Sequence, residues 1–241
     1  MGELGAEQRW VQTKVEGWAE SVKTLAGVAR KHPQSAYAGL QKSLQQEWEF
    51  IQRFTPDIGD TFGPVEEVLR DTFIPVLSKG VGEGTPVWGV TCLPVKQAGL
   101  ALLDPTKASP ENWVESCVKT GNLVAALRVQ GDFRTEDHAA YLKEGREEFR
   151  KWNANRSEEA LEETLAGDPV QVARCLRRLT NMGAWLIVQP STVNGTEFGA
   201  QEWRYSLFLR YGLDPPDHPK SYDGCNAAFS IYMPLTLIRV A

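Results

Sequence analysis

Apolar residues recur at Leu4, Val11, Val15, Trp18, Val22, Leu25 and Ala29, at intervals of three, four or seven, so one stripe runs down a single helical face from about Leu4 to Lys31. His32-Pro33 ends that run, because proline cannot continue a helix interior yet suits the first turn of a new one. Tyr37, Leu40, Leu44, Trp48 and Ile51 then repeat at three and four. The spacing predicts an antiparallel helical hairpin over Leu4 to Phe54, turning at His32-Pro33, with Trp18 and Trp48 on its buried face.

A loop around Thr55 to Asp60 precedes Gly63-Pro64, which opens a shorter helix with Val65, Val68, Leu69 and Phe73 inward and a stop near Pro75. Gly at 80, 82, 84 and 89 and Pro at 86 and 94 make the next stretch an irregular connector, in which Val81, Val87, Val90 and Thr91 could form a short strand. Ser109-Pro110 supplies an N-cap and a first-turn proline for a helix to about Leu127. Thr135-Glu136-Asp137 starts another, in which Tyr141, Phe149, Trp152, Leu161 and Leu165 are too sparse for a deep stripe and Asn153-Ala154-Asn155 marks an interruption. Asp168-Pro169 opens a helix carrying Val172, Cys175, Leu176 and Leu179 and closed by Gly183; Thr196 caps a last one through Trp203, Leu207 and Tyr211, closed by Gly212.

The expected fold class is all-α, a multi-helix bundle opening with a long antiparallel hairpin, with a Gly/Pro-rich irregular or short-strand segment near 80–104. Four units follow: a hairpin plus short helix over 1–79, a connector over 80–108, a helical region over 109–212, and a proline linker with an apolar tail over 213–241.

Composition narrows the chemistry. With 241 residues, 42% hydrophobic and 24% charged, the chain is long enough to bury a core and unlike a disordered segment. No apolar run approaches the ~18 residues a membrane span needs, so no membrane partner is expected. The start, Met1-Gly2-Glu3-Leu4-Gly5-Ala6-Glu7, is acidic where a secretory leader is basic and then apolar, which places the expected location inside the cell, cytoplasmic or nuclear. A net charge of -5 gives no whole-molecule attraction to phosphate, so nucleic-acid contact must be local. Lys96, Arg174, Arg177, Arg178 and Arg210 are the basic residues that could supply it.

Catalytic and cofactor signatures are missing: no Gly-x-x-x-x-Gly-Lys, Gly-x-Gly-x-x-Gly, His-Glu-x-x-His or Gly-x-Ser-x-Gly motif occurs. No cofactor is expected. Cys92, Cys117, Cys175 and Cys225 are spaced too widely for a complete zinc site, and the first three read as small buried hydrophobes. His32, His138 and His218 are isolated and read as solvated, as does the run Glu158, Glu159, Glu162 and Glu163.

Two blocks carry a family resemblance. Cys92-Leu93-Pro94-Val95-Lys96-Gln97-Ala98-Gly99-Leu100-Ala101-Leu102 is similar to the Leu-Pro-x-x-x-Gly-Gly-Leu-Gly-Leu segment downstream of the polymerase core in reverse transcriptases of non-LTR, LINE-like retrotransposons, with Ala98 replacing the first Gly. Pro33 to Leu40, Leu44 to Trp48 and Ile74-Pro75-Val76-Leu77 resemble the thumb helices that precede it, and the likeness extends through Thr192 to Thr196 toward residue 225. The resemblance implies a thumb and post-polymerase region without the palm. The palm's carboxylate pair, which holds two magnesium ions, has no counterpart, because no Asp-Asp occurs in the chain.

The family's small zinc element is also degenerate here, with Tyr222 in a ligand's place before Cys225. After Tyr232, Met233-Pro234-Leu235-Thr236 is what the expected His-Ala-Leu codons encode when read one base late, so a frameshift at residue 233 is the hypothesis. One thiolate cannot build a tetrahedral site. The expected function is thus a non-catalytic reverse-transcriptase fragment, at most a weak RNA/DNA-duplex binder. The alternative is a helical protein-interaction module that meets a partner through exposed Trp and Leu on the first hairpin.

Overall fold

A computed structural model describes residues 4–78, 88–97, 99–129, 134–166 and 183–210. Helix α1 (Leu4–Ala29) carries the long stripe, and Val11, Val15, Trp18, Val22, Ala26 and Ala29 are buried along it. The break at His32-Pro33 lies where expected. Beyond it α2 (Pro33–Gly39) runs through a π turn (Leu40–Leu44) into α3 (Gln45–Gln52), forming one bent rod antiparallel to α1. The rods close on aromatic contacts: the Trp18 ring lies 6.2 Å from that of Trp48, edge-on, and 6.1 Å from that of Phe62, stacked. Such pairs add ~0.5–1.5 kcal/mol beyond the apolar area they bury. The Trp18 indole N–H also donates to Glu47 at 3.0 Å, so the ring is held at both edge and face.

A 3₁₀ turn (Gly59–Phe62) leads into α4 (Gly63–Val68), a second π turn (Leu69–Phe73) and α5 (Ile74–Ser78), with Val65, Leu69, Phe73, Ile74 and Leu77 packed under α1. The helix therefore continues through Pro75 rather than stopping there. The wider π turn just before Pro75 accommodates a residue that has no amide hydrogen for the α ladder.

The connector is helical where it is described. Trp88–Cys92 forms α6, so Val90 and Thr91 lie on a short helix instead of a strand, and a 3₁₀ turn (Val95–Gln97) follows. Helix α7 (Pro105–Val129) begins one turn before the expected Ser109 cap. Asp104 takes the capping role: its Oδ1 accepts the amide of Thr106 at 3.0 Å and the Thr106 hydroxyl at 2.6 Å, and Pro105 occupies the first turn. Pro110 is then internal and cannot donate to the Thr106 carbonyl. Gly59 packs against that oxygen, which a β-carbon there would approach to 3.0 Å.

Helix α8 (Thr135–Ala166) is unbroken, correcting the expected interruption at Asn153-Ala154-Asn155; none of these residues is a strong enough breaker to stop a helix that pairs with α7. α9 (Ala184–Ile187) and α10 (Ala200–Arg210) complete the described elements. Thr196 does not cap α10. Its hydroxyl donates to Gln189 in the preceding turn, and Glu202 caps the helix by accepting the Gly199 amide at 2.8 Å. No strand occurs among the described residues, and the fold is all-α. No helix among them is long and apolar enough to cross a membrane. The helix expected after Asp168-Pro169 and the tail beyond residue 210 lie outside the described residues.

Candidate functional site

The rod α2–α3 has an apolar face toward α1 and a second, polar face that organises the rest of the molecule. Gln34 is 2% exposed: its carboxamide donates to the Thr196 carbonyl at 3.0 Å and accepts the Phe198 amide at 2.7 Å. Gln45 accepts the Leu103 amide at 3.2 Å, and Gln52, fully buried, donates to the Pro105 carbonyl at 2.9 Å and accepts from Asn112 at 2.7 Å. The Tyr37 hydroxyl donates to the Leu100 carbonyl at 2.6 Å. Each side chain satisfies backbone in a non-helical segment or at a helix start, where the backbone has no ladder of its own.

The Leu-Pro block is one of these segments. Leu100 and Leu102 both donate their amides to Thr91, Ala101 donates to Leu93, and Gly99 donates to Pro94 at 3.1 Å. The chain doubles back so tightly that a β-carbon at Gly99 would sit 1.8 Å from the Leu93 carbonyl oxygen, which makes glycine obligatory there. Ala101 completes the reversal with φ 51, a left-handed conformation that costs an alanine ~1–2 kcal/mol. The Gly-Leu-Ala-Leu part of the block therefore reads as a packing device. Leu100 and Leu102 are buried and Lys96 is exposed on the 3₁₀ turn.

Arg210 is not the surface phosphate ligand expected of it. It is 2% exposed, and its Nη2 donates to the carbonyls of Val95 at 2.6 Å and Gly99 at 3.1 Å, tying α10 to the Leu-Pro turn. Arg204 acts likewise one and a half turns earlier: its guanidinium meets the carbonyls of Ala29 and Arg30 at 3.1 and 3.0 Å, at the end of α1 where carbonyls lack helical partners. Burial pushes its pKa below the ordinary arginine value. Lys96 is the remaining described member of the basic set. Arg174, Arg177, Arg178 and the Cys225 remnant lie outside the described residues.

An open groove of about 570 Å³ runs along the π turn, lined by Gln41, Lys42, Gln45, Gln46, Ala101 and Leu103. Beneath it Glu49, 8% exposed, accepts from Gln45 at 3.0 Å. Burial pushes its carboxyl above the ordinary range, partly opposed by the Gln45 hydrogen bond and by Arg53.

The cysteines differ from one another. Cys92 is three-quarters hidden in character, its thiol pushed up to about 12 by burial and then by Asp104, so it is inert at neutral pH. Cys117 is exposed on α7, against the expectation of a buried hydrophobe; the face of α7 it occupies is not covered. Among the described residues no three His, Cys, Asp or Glu side chains gather as a metal-binding group.

Sequence reasoning missed the glutamines. The polar row Gln45, Glu49, Gln52, at steps of four and three beside the apolar stripe, was the available signal. Comparison with protein-family models, curated protein sequences and solved structures finds no match to this chain.

Proposed function

We propose that the chain is a non-catalytic helical interaction module that engages a protein partner through the distal part of α7. One observation carries the reading. Ser109 and Asn112 seat the first half of α7 on the body, and the same row continues at steps of three or four through Ser116 and Thr120 to Leu123 and Leu127, where it is bare: Leu127 is 70% exposed and Leu123 37%. Val124, 38% exposed, widens the strip. Apolar side chains repeated along an outward helical face suit a partner's groove or helix. The hairpin is a poorer candidate for this role than its sequence suggests, because Trp18, Trp48 and Leu40 are in the core; Trp10, Phe50 and Phe54 are the large apolar residues it exposes.

The test compares partners captured by the wild-type chain and by Leu123→Glu/Leu127→Glu. Exposed substitutions cost only ~0.5 kcal/mol or less, so the variant should keep its helical spectrum and thermal midpoint while losing partners. Capture of the same proteins by both chains overturns the reading.

A second reading, a reverse-transcriptase-derived fragment with weak duplex binding and no polymerase activity, is favoured by the Leu-Pro block, whose second glycine is sterically required and retained. Salt separates the two readings, since phosphate contacts release counterions and apolar contacts do not.

A further inference from the structure

The seam between α3 and α7 holds a buried carboxyl that none of the contacts described so far requires. The Gln52–Asn112 hydrogen bond at 2.7 Å fixes the register of the two helices. One turn back along α3 and one turn on along α7, that register places Glu49 opposite Glu115. The side chains are 11% and 17% exposed, so two carboxyl groups face each other in a poorly hydrated seam.

Their charged neighbours are unequal. On its own helix Glu49 has Arg53, whose Nη2 is 3.6 Å away and half exposed, and the uncharged Gln45. On α7, Glu115 is the charged group acting on it, and that residue is paired with Lys119 on the side away from Glu49. Gln45 also holds the Leu103 amide, so whatever moves Glu49 is communicated to the segment that leads into α7.

We propose that Glu49 is a proton-controlled fastener at the root of α7: uncharged, it lets α7 close against α3, and charged, it loosens that seam by repelling Glu115. The sign follows from burial and like charge acting together. Both disfavour the ionised form in the folded chain, and Gln45 and Arg53 offset them only in part. The folded-state pKa of Glu49 lies above its unfolded value, so its contribution to stability is fully present below the unfolded value and is lost as pH rises through the folded one. Acidification therefore tightens the seam and neutral pH relaxes it. Because the row on α7 that continues from Asn112 ends in bare Leu123 and Leu127, a change at the root alters how firmly that strip is presented, whatever partner it meets.

Other carboxylates also titrate, so the experiment is a difference. Thermal midpoints of the full chain are measured from pH 5 to 7.5 for the wild type, Glu49→Gln and Glu115→Gln. Glutamine keeps the acceptor for Gln45 and removes the charge. The midpoint of Glu49→Gln should exceed that of the wild type at pH 7.5, with the difference vanishing toward pH 5; Glu115→Gln should show the same trend, reduced. Amide protection in 108–119 should rise in Glu49→Gln at pH 7.5. A midpoint difference independent of pH overturns the proposal. So does a carbon-13 titration placing the wild-type Glu49 carboxyl at or below the ordinary glutamate range, a measurement that stands even if a variant fails to fold.

Discussion

Replacing Trp48 by alanine removes the largest side chain at the centre of the hairpin. Trp48 is 0% exposed, and its ring is the edge partner of Trp18, which in turn stacks on Phe62; the void would open among α1, α3 and the 3₁₀ turn at once. Tryptophan-to-alanine changes in cores cost ~3–5 kcal/mol, against a total stability of ~5–15 kcal/mol for a domain. The indole nitrogen of Trp48 is buried and finds no hydrogen-bond acceptor, so part of what the ring gains by burial is already forfeited. Trp48→Phe discards that nitrogen, which costs ~1–3 kcal/mol while unsatisfied, and leaves a smaller void; it should therefore be much milder than the alanine change. Urea unfolding followed by far-ultraviolet circular dichroism measures both, with an unchanged slope showing that the same surface unfolds. An alanine variant losing less than ~1 kcal/mol, where core truncation predicts several, would refute the packing argument. So would a phenylalanine variant as unstable as the alanine one.

Gln34→Ala leaves the amide of Phe198 without its acceptor, and Gln45→Ala does the same to Leu103, so each should cost ~1–3 kcal/mol; hydrogen exchange should quicken at those two amides first, and uniform exchange across the chain would count against the clamp. Duplex binding is expected to be no tighter than the non-specific ~10⁻⁴–10⁻⁶ M range and to fade with salt, as a filter-binding titration at two ionic strengths would report. Arg210→Ala should lower the thermal midpoint without changing the salt slope, because that guanidinium is occupied by the carbonyls of Val95 and Gly99; a reduced slope would return Arg210 to the surface.

Burial along a helix repeats every three or four residues, so the stripe from Val11 to Ala29, the turn at His32-Pro33 and the stripe from Tyr37 to Ile51 could be read from the order of residues alone. The all-α class followed from the same periodicity. Breakers were less decisive: Pro75 and Pro110 both lie within helices because a π turn precedes the one and a glycine packs against the carbonyl orphaned by the other, circumstances set by neighbours rather than by proline itself. Charge was the least legible. Arg210 and Lys96 look alike in sequence, yet one is sealed under the Leu-Pro turn and the other faces solvent. Which backbone carbonyls and amides come to lie beside Gln34, Gln45, Gln52, Arg204 and Arg210 depends on segments distant in sequence meeting in space, and only the tertiary packing of α2, α3 and α10 against them decided that. A polar side chain's role is fixed by the partner that burial brings to it, and no local pattern encodes that partner.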